Sequence, residues 1–157
     1  LGLPAFVCLT PLGAKRVVAT DRAGQVLALL QENASRNGVE VLEGPGEAGF
    51  SIETLDWSAH AAWELPNRLG VRSVDVVIAC DCILSRLFGA SEALAEFLAA
   101  LAEANPDFRV LLSSEMRPVG GVSAFLRRAS ENFDISLVQV TRLVHLYDLR
   151  VKRPSNA

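Results

Sequence analysis

Hydrophobic positions along the chain follow two periodicities in turn. Short apolar runs typical of buried strands occupy residues 16–20, 74–80 and 108–114, and an imperfect alternation at Phe50, Ile52 and Leu55 suggests a further strand. Between these runs apolar residues recur every three or four positions, as on one face of a helix, and the clearest set is Leu94, Phe97, Leu98 and Leu101. Strands that alternate with helices predict a parallel sheet with right-handed crossovers, the α/β class.

Helix boundaries are indicated by proline, glycine and asparagine. Pro4 suits a first helical position, and Gly13 suits the end of that helix. Gly38 closes the next helical pattern, which begins near Val26, and Asn105-Pro106 stops the helix that carries Leu94. Gly44-Pro45-Gly46 predicts a loop, whereas residues 58–73 are ambiguous.

Two segments define the sheet. The run from Val74 to Cys80 is apolar apart from Asp75 and rich in β-branched residues, which predicts a strand with both faces covered by helices. Residues 135–140 and 143–151 are strand-like and are joined by a link of only two residues. A link this short permits only an antiparallel pair, so the sheet is expected to finish in a hairpin.

Four acidic residues follow predicted strands: Asp21, Asp56, Asp81 and Glu115. Ligands of open α/β sheets bind beyond the carboxyl ends of the strands, although any one of these acids could equally cap a helix or lie in a solvated turn. The Asp21 carboxylate can accept hydrogen bonds from both hydroxyls of a ribose, and Gly2 would let a ligand approach the backbone of the first helix. Nicotinamide, flavin and S-adenosylmethionine binders share these features.

Composition narrows the class of protein. The chain has 157 residues, half of them hydrophobic, which fits one domain. We find no apolar run of the ~18 residues that a membrane span needs, and no signal-peptide pattern. A formal net charge of −3 weighs against a nucleic-acid binder. The three cysteines lack metal-ligand spacing and stand among apolar residues, which indicates a reducing compartment.

Several short motifs, in this order and spacing, resemble the eukaryotic seven-β-strand protein-lysine methyltransferases over nearly the whole chain. They are Leu1-Gly2-Leu3-Pro4, residues 12–22 (LGAKRVVATDR), Leu55-Asp56-Trp57, residues 79–84 (ACDCIL), Glu115-Met116-Arg117 and Val144-His145-Leu146-Tyr147. The resemblance implies a Rossmann-like, doubly wound seven-strand methyltransferase sheet that ends in an antiparallel hairpin. It also implies S-adenosyl-L-methionine as the cofactor and a protein as the substrate.

The resemblance assigns roles to individual positions. Asp21 would bind the ribose, Asp56 would hydrogen-bond the adenine, and Trp57 would contact it. The residues expected to bind the cofactor are thus Gly2, Asp21, Asp56, Trp57 and Cys80, and Asp81 would face the methyl-transfer site. We further expect a monomer in the cytoplasm, with the nucleus as a second compartment, and no nucleic-acid or membrane partner.

One position departs from the family pattern. Tyr or Phe usually stands three residues after the acid, where it lines the substrate channel, and this chain has Leu84. A small-molecule methyltransferase and a non-catalytic interaction module on the same fold therefore stay open as alternatives. A nicotinamide-dependent oxidoreductase is disfavoured by the closing hairpin and by Asp56-Trp57.

The start of the sequence carries an expectation of its own. Leu1 stands directly before a helical pattern, and the resemblance implies that the first, central strand and its Gly-rich turn precede it. We therefore expect residues 1–157 to be a methyltransferase domain that is incomplete at its N-terminus. Because a sheet without its central strand has unpaired inner edges, this segment alone is expected to fold poorly, to bind no cofactor measurably and to be inactive.

Overall fold

The computed structural model describes residues 2–43, 48–57, 64–65, 74–83, 90–117 and 121–153. The chain divides into two compact units. The first contains residues up to Asp56 together with Leu65, and the second contains Trp57, Glu64 and the residues from 74 onward.

The elements of the first unit are α1 (Leu3–Leu9), β1 (Arg16–Asp21), α2 (Gln25–Arg36) and β2 (Gly49–Thr54). Those of the second unit are β3 (Val76–Cys80), α3 (Ala90–Ala104), β4 (Arg109–Glu115), α4 (Val122–Ala129), β5 (Phe133–Val140) and β6 (Val144–Val151).

The first unit is built on a parallel strand pair. β1 pairs with β2 in a register that runs from Arg16 opposite Gly49 to Asp21 opposite Thr54. Residues from both helices and both strands form its core, in which the rings of Phe6 and Phe50 lie 5.4 Å apart. The core residues are Phe6, Ala19, Leu30, Ala34 and Phe50.

Both helices of the first unit begin and end close to the predicted signals. Pro4 lies in the first turn of α1, and that helix ends at Leu9, a few residues before Gly13. Asn37 caps the end of α2, and Gly38 follows with a φ of 67°. Because a left-handed residue cannot continue an α-helix, the chain leaves the helix there.

The second unit contains a four-stranded mixed sheet in the order β3-β4-β6-β5. β3 and β4 are parallel, and β6 runs antiparallel to both β4 and β5. The predicted terminal hairpin is confirmed, and its second strand lies between β4 and β5. The carboxyl ends of β3, β4 and β5 consequently meet at one edge of this sheet, together with the turn of the hairpin.

Helix α3 supplies much of the core of the second unit. Its four predicted apolar positions are all buried, with exposures of 3% or less: Leu94, Phe97, Leu98 and Leu101. The rings of Phe108 and Phe133 meet edge to face at 5.9 Å. Asn105 ends the helix as predicted, and its side chain bonds to the Leu101 carbonyl and to the Val74 amide.

The expectation for the strand from Val74 to Cys80 is wrong in two respects. β3 begins only at Val76, and its two faces differ: Ala79 is buried, whereas Val76 and Ile78 are 47% and 40% exposed. The described residues cover only one face of this strand, so apolar composition alone overestimated its burial. The loop at residues 44–46 and most of the ambiguous segment 58–73 lie outside the described residues.

Candidate functional site

Asp21 stands at the carboxyl end of the parallel pair in the first unit. Its side chain is half-buried, and its Oδ1 accepts a hydrogen bond from the Arg22 amide at 2.8 Å. The Leu55 amide donates to the Asp21 carbonyl at 2.9 Å, directly before the exposed Asp56. The structure therefore brings Asp21 and Asp56 to the same edge, as the sequence predicted.

Gly2 has a structural reason to be glycine. It precedes α1 with a φ of 86°, and its carbonyl accepts the first helical hydrogen bond, from the Phe6 amide at 3.0 Å. A Cβ atom at this position would collide with Leu30 Cδ1 and would lie 2.9 Å from Phe6 Cζ. Packing of α1 thus accounts for this glycine, and its predicted approach to a ligand stays a prediction.

Asp81 follows β3 in an uncommon backbone conformation. Its φ is 48°, in the left-handed region, and it is the one non-glycine residue with positive φ in the described part of the chain. Its amide donates to the Ser113 carbonyl of β4 at 2.7 Å. Left-handed non-glycine residues often mark functional sites, because the surrounding structure has to hold them there.

Arg117 links the acids at the ends of β3 and β4. Its Nη2 donates to Asp81 Oδ2 at 2.7 Å and to Glu115 Oε2 at 2.6 Å, and its Nε donates to the same Glu115 oxygen at 3.0 Å. The hydrogen bonds that Arg117 donates to Glu115 and then to Asp81 raise the pKa of Arg117, so the guanidinium is charged throughout the physiological range. In the sequence, Glu115-Met116-Arg117 stands out only as a family motif, and this contact was not predicted. An arginine two residues beyond an acid that ends a strand was the available signal.

The hairpin turn lies beside this cluster. The Met116 amide donates to the Leu143 carbonyl at 2.8 Å, and Val144 pairs with Glu115. Met116, Leu143 and Val144 expose 38%, 56% and 39% of their surface. The edge that carries Asp81 therefore combines charged side chains with an apolar rim.

The remaining predicted positions fall in three places. Trp57 is half-buried, and Cys80 is exposed at the end of β3, opposite Ser113 of β4. Leu84, the expected channel residue, lies outside the described residues. Within the described ranges, no three or more His, Cys, Asp or Glu side chains are grouped to hold a metal ion. No helix in the same ranges has the length and apolar character needed to cross a membrane.

The chain is similar in sequence to a known effector protein. It is 36% identical over 118 residues to secreted RxLR effector protein 48 of Plasmopara viticola, and the match covers 73% of this chain. It spans only 59% of the length of that relative. No protein-family model matches the chain.

Solved structures give a consistent fold. The PH0226 protein of Pyrococcus horikoshii OT3 matches 94% of this chain and 76% of its own, with a TM-score of 0.63 and 13% identity. The ribosomal protein L11 methylase of Lactobacillus delbrueckii subsp. bulgaricus matches 94% of this chain and 64% of its own, with a TM-score of 0.58 and 20% identity.

A third structure is TrmK of M. capricolum in complex with S-adenosylhomocysteine, its natural cofactor product. It matches 95% of this chain and 57% of its own, with a TM-score of 0.55 and 14% identity. At these identities the likeness shows the fold alone. The alternating elements, the mixed sheet and these neighbours together identify the fold of the chain as the Rossmann-like α/β fold of methyltransferases.

Proposed function

We propose that this chain belongs to an S-adenosyl-L-methionine-dependent methyltransferase that modifies a lysine of a protein substrate. The observation that carries the proposal is Asp81, an exposed carboxylate in a left-handed conformation directly after the parallel strand β3. In open α/β sheets ligands bind at the carboxyl ends of such strands. Two of the solved neighbours are methylases by name or by bound product, which supports the same chemistry here.

The first unit has groups that suit the adenosine part of the cofactor. Asp21 presents a half-buried carboxylate at the edge of β1, as a ribose requires, and the exposed Asp56 carboxylate can accept a hydrogen bond from an adenine amino group. By the family resemblance, Trp57 of the second unit would contact the adenine. Gly2 and Cys80 complete the set that the family resemblance assigns to the cofactor.

Methyl transfer from the cofactor requires little covalent chemistry from the protein side chains. The bound cofactor supplies an electrophilic methyl group on sulfur, and the side chains of the chain bind, orient and desolvate. A free lysine has a pKa of ~10.4, so only about one amine in several thousand is neutral at pH 7. Burial in the site would favour the neutral form, and the Asp81 carboxylate would accept a hydrogen bond from the amine and orient it.

The motif resemblance and the apolar rim favour a protein substrate over a small molecule. Met116, Leu143 and Val144 expose apolar surface at the edge that carries Asp81. Such surface is typical of contacts with another protein. We place this activity in the cytoplasm, with the nucleus as a second compartment, and propose that the protein acts as a monomer.

The second candidate is a non-catalytic module that keeps the methyltransferase fold. It is favoured by the Arg117 guanidinium, which already binds both Asp81 and Glu115, and by Leu84 in place of an aromatic. Cofactor turnover separates the two candidates.

The test uses the full-length protein in two steps, because residues 1–157 alone are expected to bind no cofactor. Calorimetry first measures binding of S-adenosyl-L-methionine. Tritiated cofactor is then incubated with the protein and a cell extract, and the label is sorted into protein and small-molecule fractions. We expect label in protein, recovered as methyl-lysine after hydrolysis. Label in small molecules contradicts the lysine assignment, binding without labelling favours the non-catalytic module, and absence of binding contradicts the cofactor assignment.

Leu84→Phe restores the aromatic that the family pattern has at this position. It should raise methyl-lysine formation if the channel is merely weakened. Leu84→Ile is the matched control, because it changes the shape of the side chain without adding a ring.

A further inference from the structure

Both oxygens of the Asp81 carboxylate are held by the segment at the end of β4. Oδ2 accepts a hydrogen bond from Arg117 Nη2 at 2.7 Å, and the Glu115 amide lies 3.4 Å from Oδ1. The Asp81 amide is held from β4 as well, by the Ser113 carbonyl at 2.7 Å. The direction of this side chain is therefore set by a neighbouring strand.

The local backbone does not favour this arrangement. Asp81 has a φ of 48°, a conformation that side-chain-bearing residues adopt at an energetic cost. The hydrogen bond from the Asp81 amide to the Ser113 carbonyl holds the backbone in this conformation. Among the described contacts, the one charged group that binds the Asp81 carboxylate is the Arg117 guanidinium.

Arg117 is in turn held by Glu115. Its Nε and Nη2 both donate to Glu115 Oε2, at 3.0 and 2.6 Å. These two bonds fix the plane of the guanidinium and therefore the direction in which Nη2 points toward Asp81. Planar guanidinium is suited to this task, because its donors point in fixed directions. A lysine would keep the charge, but its donors lie on a single nitrogen and are not fixed in a plane.

We propose that Arg117 is a positioning residue for methyl transfer: it fixes the Asp81 carboxylate in the direction in which that carboxylate meets the substrate. This inference rests on the proposed methyltransferase function. Glu115 acts one step further away, by holding Arg117.

The solvent exposure of the Arg117 ion pairs distinguishes a positioning role of Arg117 from a role in stabilising the fold. The side chains of Arg117, Asp81 and Glu115 are 33%, 46% and 41% exposed. Ion pairs this open to water contribute little to folding. Loss of Arg117 should therefore change the orientation of Asp81 and leave the unfolding temperature nearly unchanged.

The experiment compares Arg117→Ala and Arg117→Lys with Arg128→Ala. Arg128 is a matched control, since it is 47% exposed and pairs with Glu131 on the surface of the same unit. Three-bond couplings from the backbone nitrogen and carbonyl carbon to Cγ report the χ1 angle of Asp81 in the isotope-labelled full-length protein. Transfer of label from tritiated S-adenosyl-L-methionine to cell-extract protein reports activity, and calorimetry reports cofactor affinity.

We expect one Asp81 rotamer in the wild type and in Arg128→Ala, and rotamer averaging in Arg117→Ala. The rate of protein labelling by Arg117→Ala should fall by about ten- to a hundredfold, which is the loss expected when a reacting group is misplaced. Its cofactor affinity should be unchanged. Added guanidinium chloride at non-denaturing concentration should restore part of the rate to Arg117→Ala and none to Asp81→Ala. Arg117→Lys should retain an intermediate rate.

A single fixed Asp81 rotamer in Arg117→Ala overturns the inference, whatever the labelling shows. An equal loss of rate in Arg128→Ala also overturns it. A wild-type protein that labels nothing counts against the proposed function instead, while the rotamer measurement still decides whether Arg117 positions Asp81.

Discussion

Arg109 of β4 and Asp148 of β6 form a bidentate ion pair across the antiparallel strands β4 and β6. Arg109 Nε lies 2.6 Å from Asp148 Oδ1, and Arg109 Nη2 lies 2.9 Å from Oδ2. The two residues are not directly opposite each other, because Arg109 faces Arg150 in the register. The long arginine side chain reaches diagonally to a carboxylate that is only 10% exposed.

This pair predicts a pH-dependent contribution to stability. The hydrogen bond from Arg109 lowers the pKa of Asp148 below its ordinary value near 3.8. Its contribution is therefore complete above about pH 4, the unfolded-state pKa, and is lost as the pH falls through the lower folded-state pKa. Asp148→Asn should lower the Tm by about 3–6 °C at pH 7, and the difference from wild type should shrink below pH 4. Thermal scans from about pH 2 to pH 7 check this.

The control for Asp148 is Asp107→Asn. Asp107 is 87% exposed and lies 3.7 Å from Arg153. The Asp107→Asn substitution should leave the Tm nearly unchanged at every pH. A Tm difference for Asp148→Asn that persists undiminished at the acid end of the scan would contradict the linkage to the charged carboxylate.

Asn105 is expected to stabilise the end of α3. It is 5% exposed, accepts a hydrogen bond from the Val74 amide at 3.0 Å and donates to the Leu101 carbonyl at 3.2 Å. Asn105→Ala leaves the Val74 amide without this partner, while the Leu101 carbonyl still accepts from the amide of residue 105 at 2.9 Å. The lost bond should cost about 1–3 kcal/mol in the free energy of unfolding. Denaturant titration measures it. Asn37→Ala removes a similar but exposed helix-end bond, to Asn33, and should cost much less; equal losses would show that burial is not the cause.

Gly2→Ala separates packing from ligand binding at the start of α1. The new Cβ atom would collide with Leu30 and Phe6 while the backbone stays left-handed, and overpacking alone costs about 1–3 kcal/mol. Gly13→Ala is a close control: Gly13 also has positive φ, 66°, but nothing lies within 4 Å of its Cβ position. We expect the Gly2 variant to unfold at clearly lower denaturant concentration than the Gly13 variant, and similar midpoints would contradict the packing argument.

In the full-length protein, Asp21→Ala should weaken the binding of S-adenosyl-L-methionine by about 1.5–3 kcal/mol, the scale of a lost charged hydrogen bond. The reason is the half-buried carboxylate at the end of β1. Isothermal calorimetry measures the change. Glu32→Ala serves as a control, because it removes an exposed acid of the same unit whose partner is Arg36 on α2. Unchanged affinity in the Asp21 variant would remove this residue from the proposed cofactor site.

In the full-length protein, Asp81→Asn should reduce methyl transfer far more than cofactor affinity. Asparagine tolerates the left-handed backbone, so the variant changes the charge while the conformation is kept. Loss of a charged hydrogen bond to the substrate predicts a rate roughly ten- to a hundredfold lower. Initial rates with tritiated cofactor and direct binding measurements check the two quantities separately. Equal losses in rate and affinity would place Asp81 in the cofactor site instead.

Local pattern was enough to determine the elements of this chain. The periodic positions of α3 are buried as predicted, and Asn105 and Gly38 end their helices. The short link between β5 and β6 requires an antiparallel hairpin. These features depend on neighbours in sequence, through helix periodicity, capping and turn length. For the same reason the acids that follow β1 to β4 could be identified from the order of residues alone.

Tertiary structure alone decided which of these groups meet. The sequence does not reveal that β6 inserts between β4 and β5, because strand order depends on pairing between distant segments. Nor does it indicate that β3 exposes Val76 and Ile78, since burial depends on what covers a strand. Likewise Arg117 and Asp81 are 36 residues apart, and only the parallel pairing of β3 with β4 brings the guanidinium to the carboxylate.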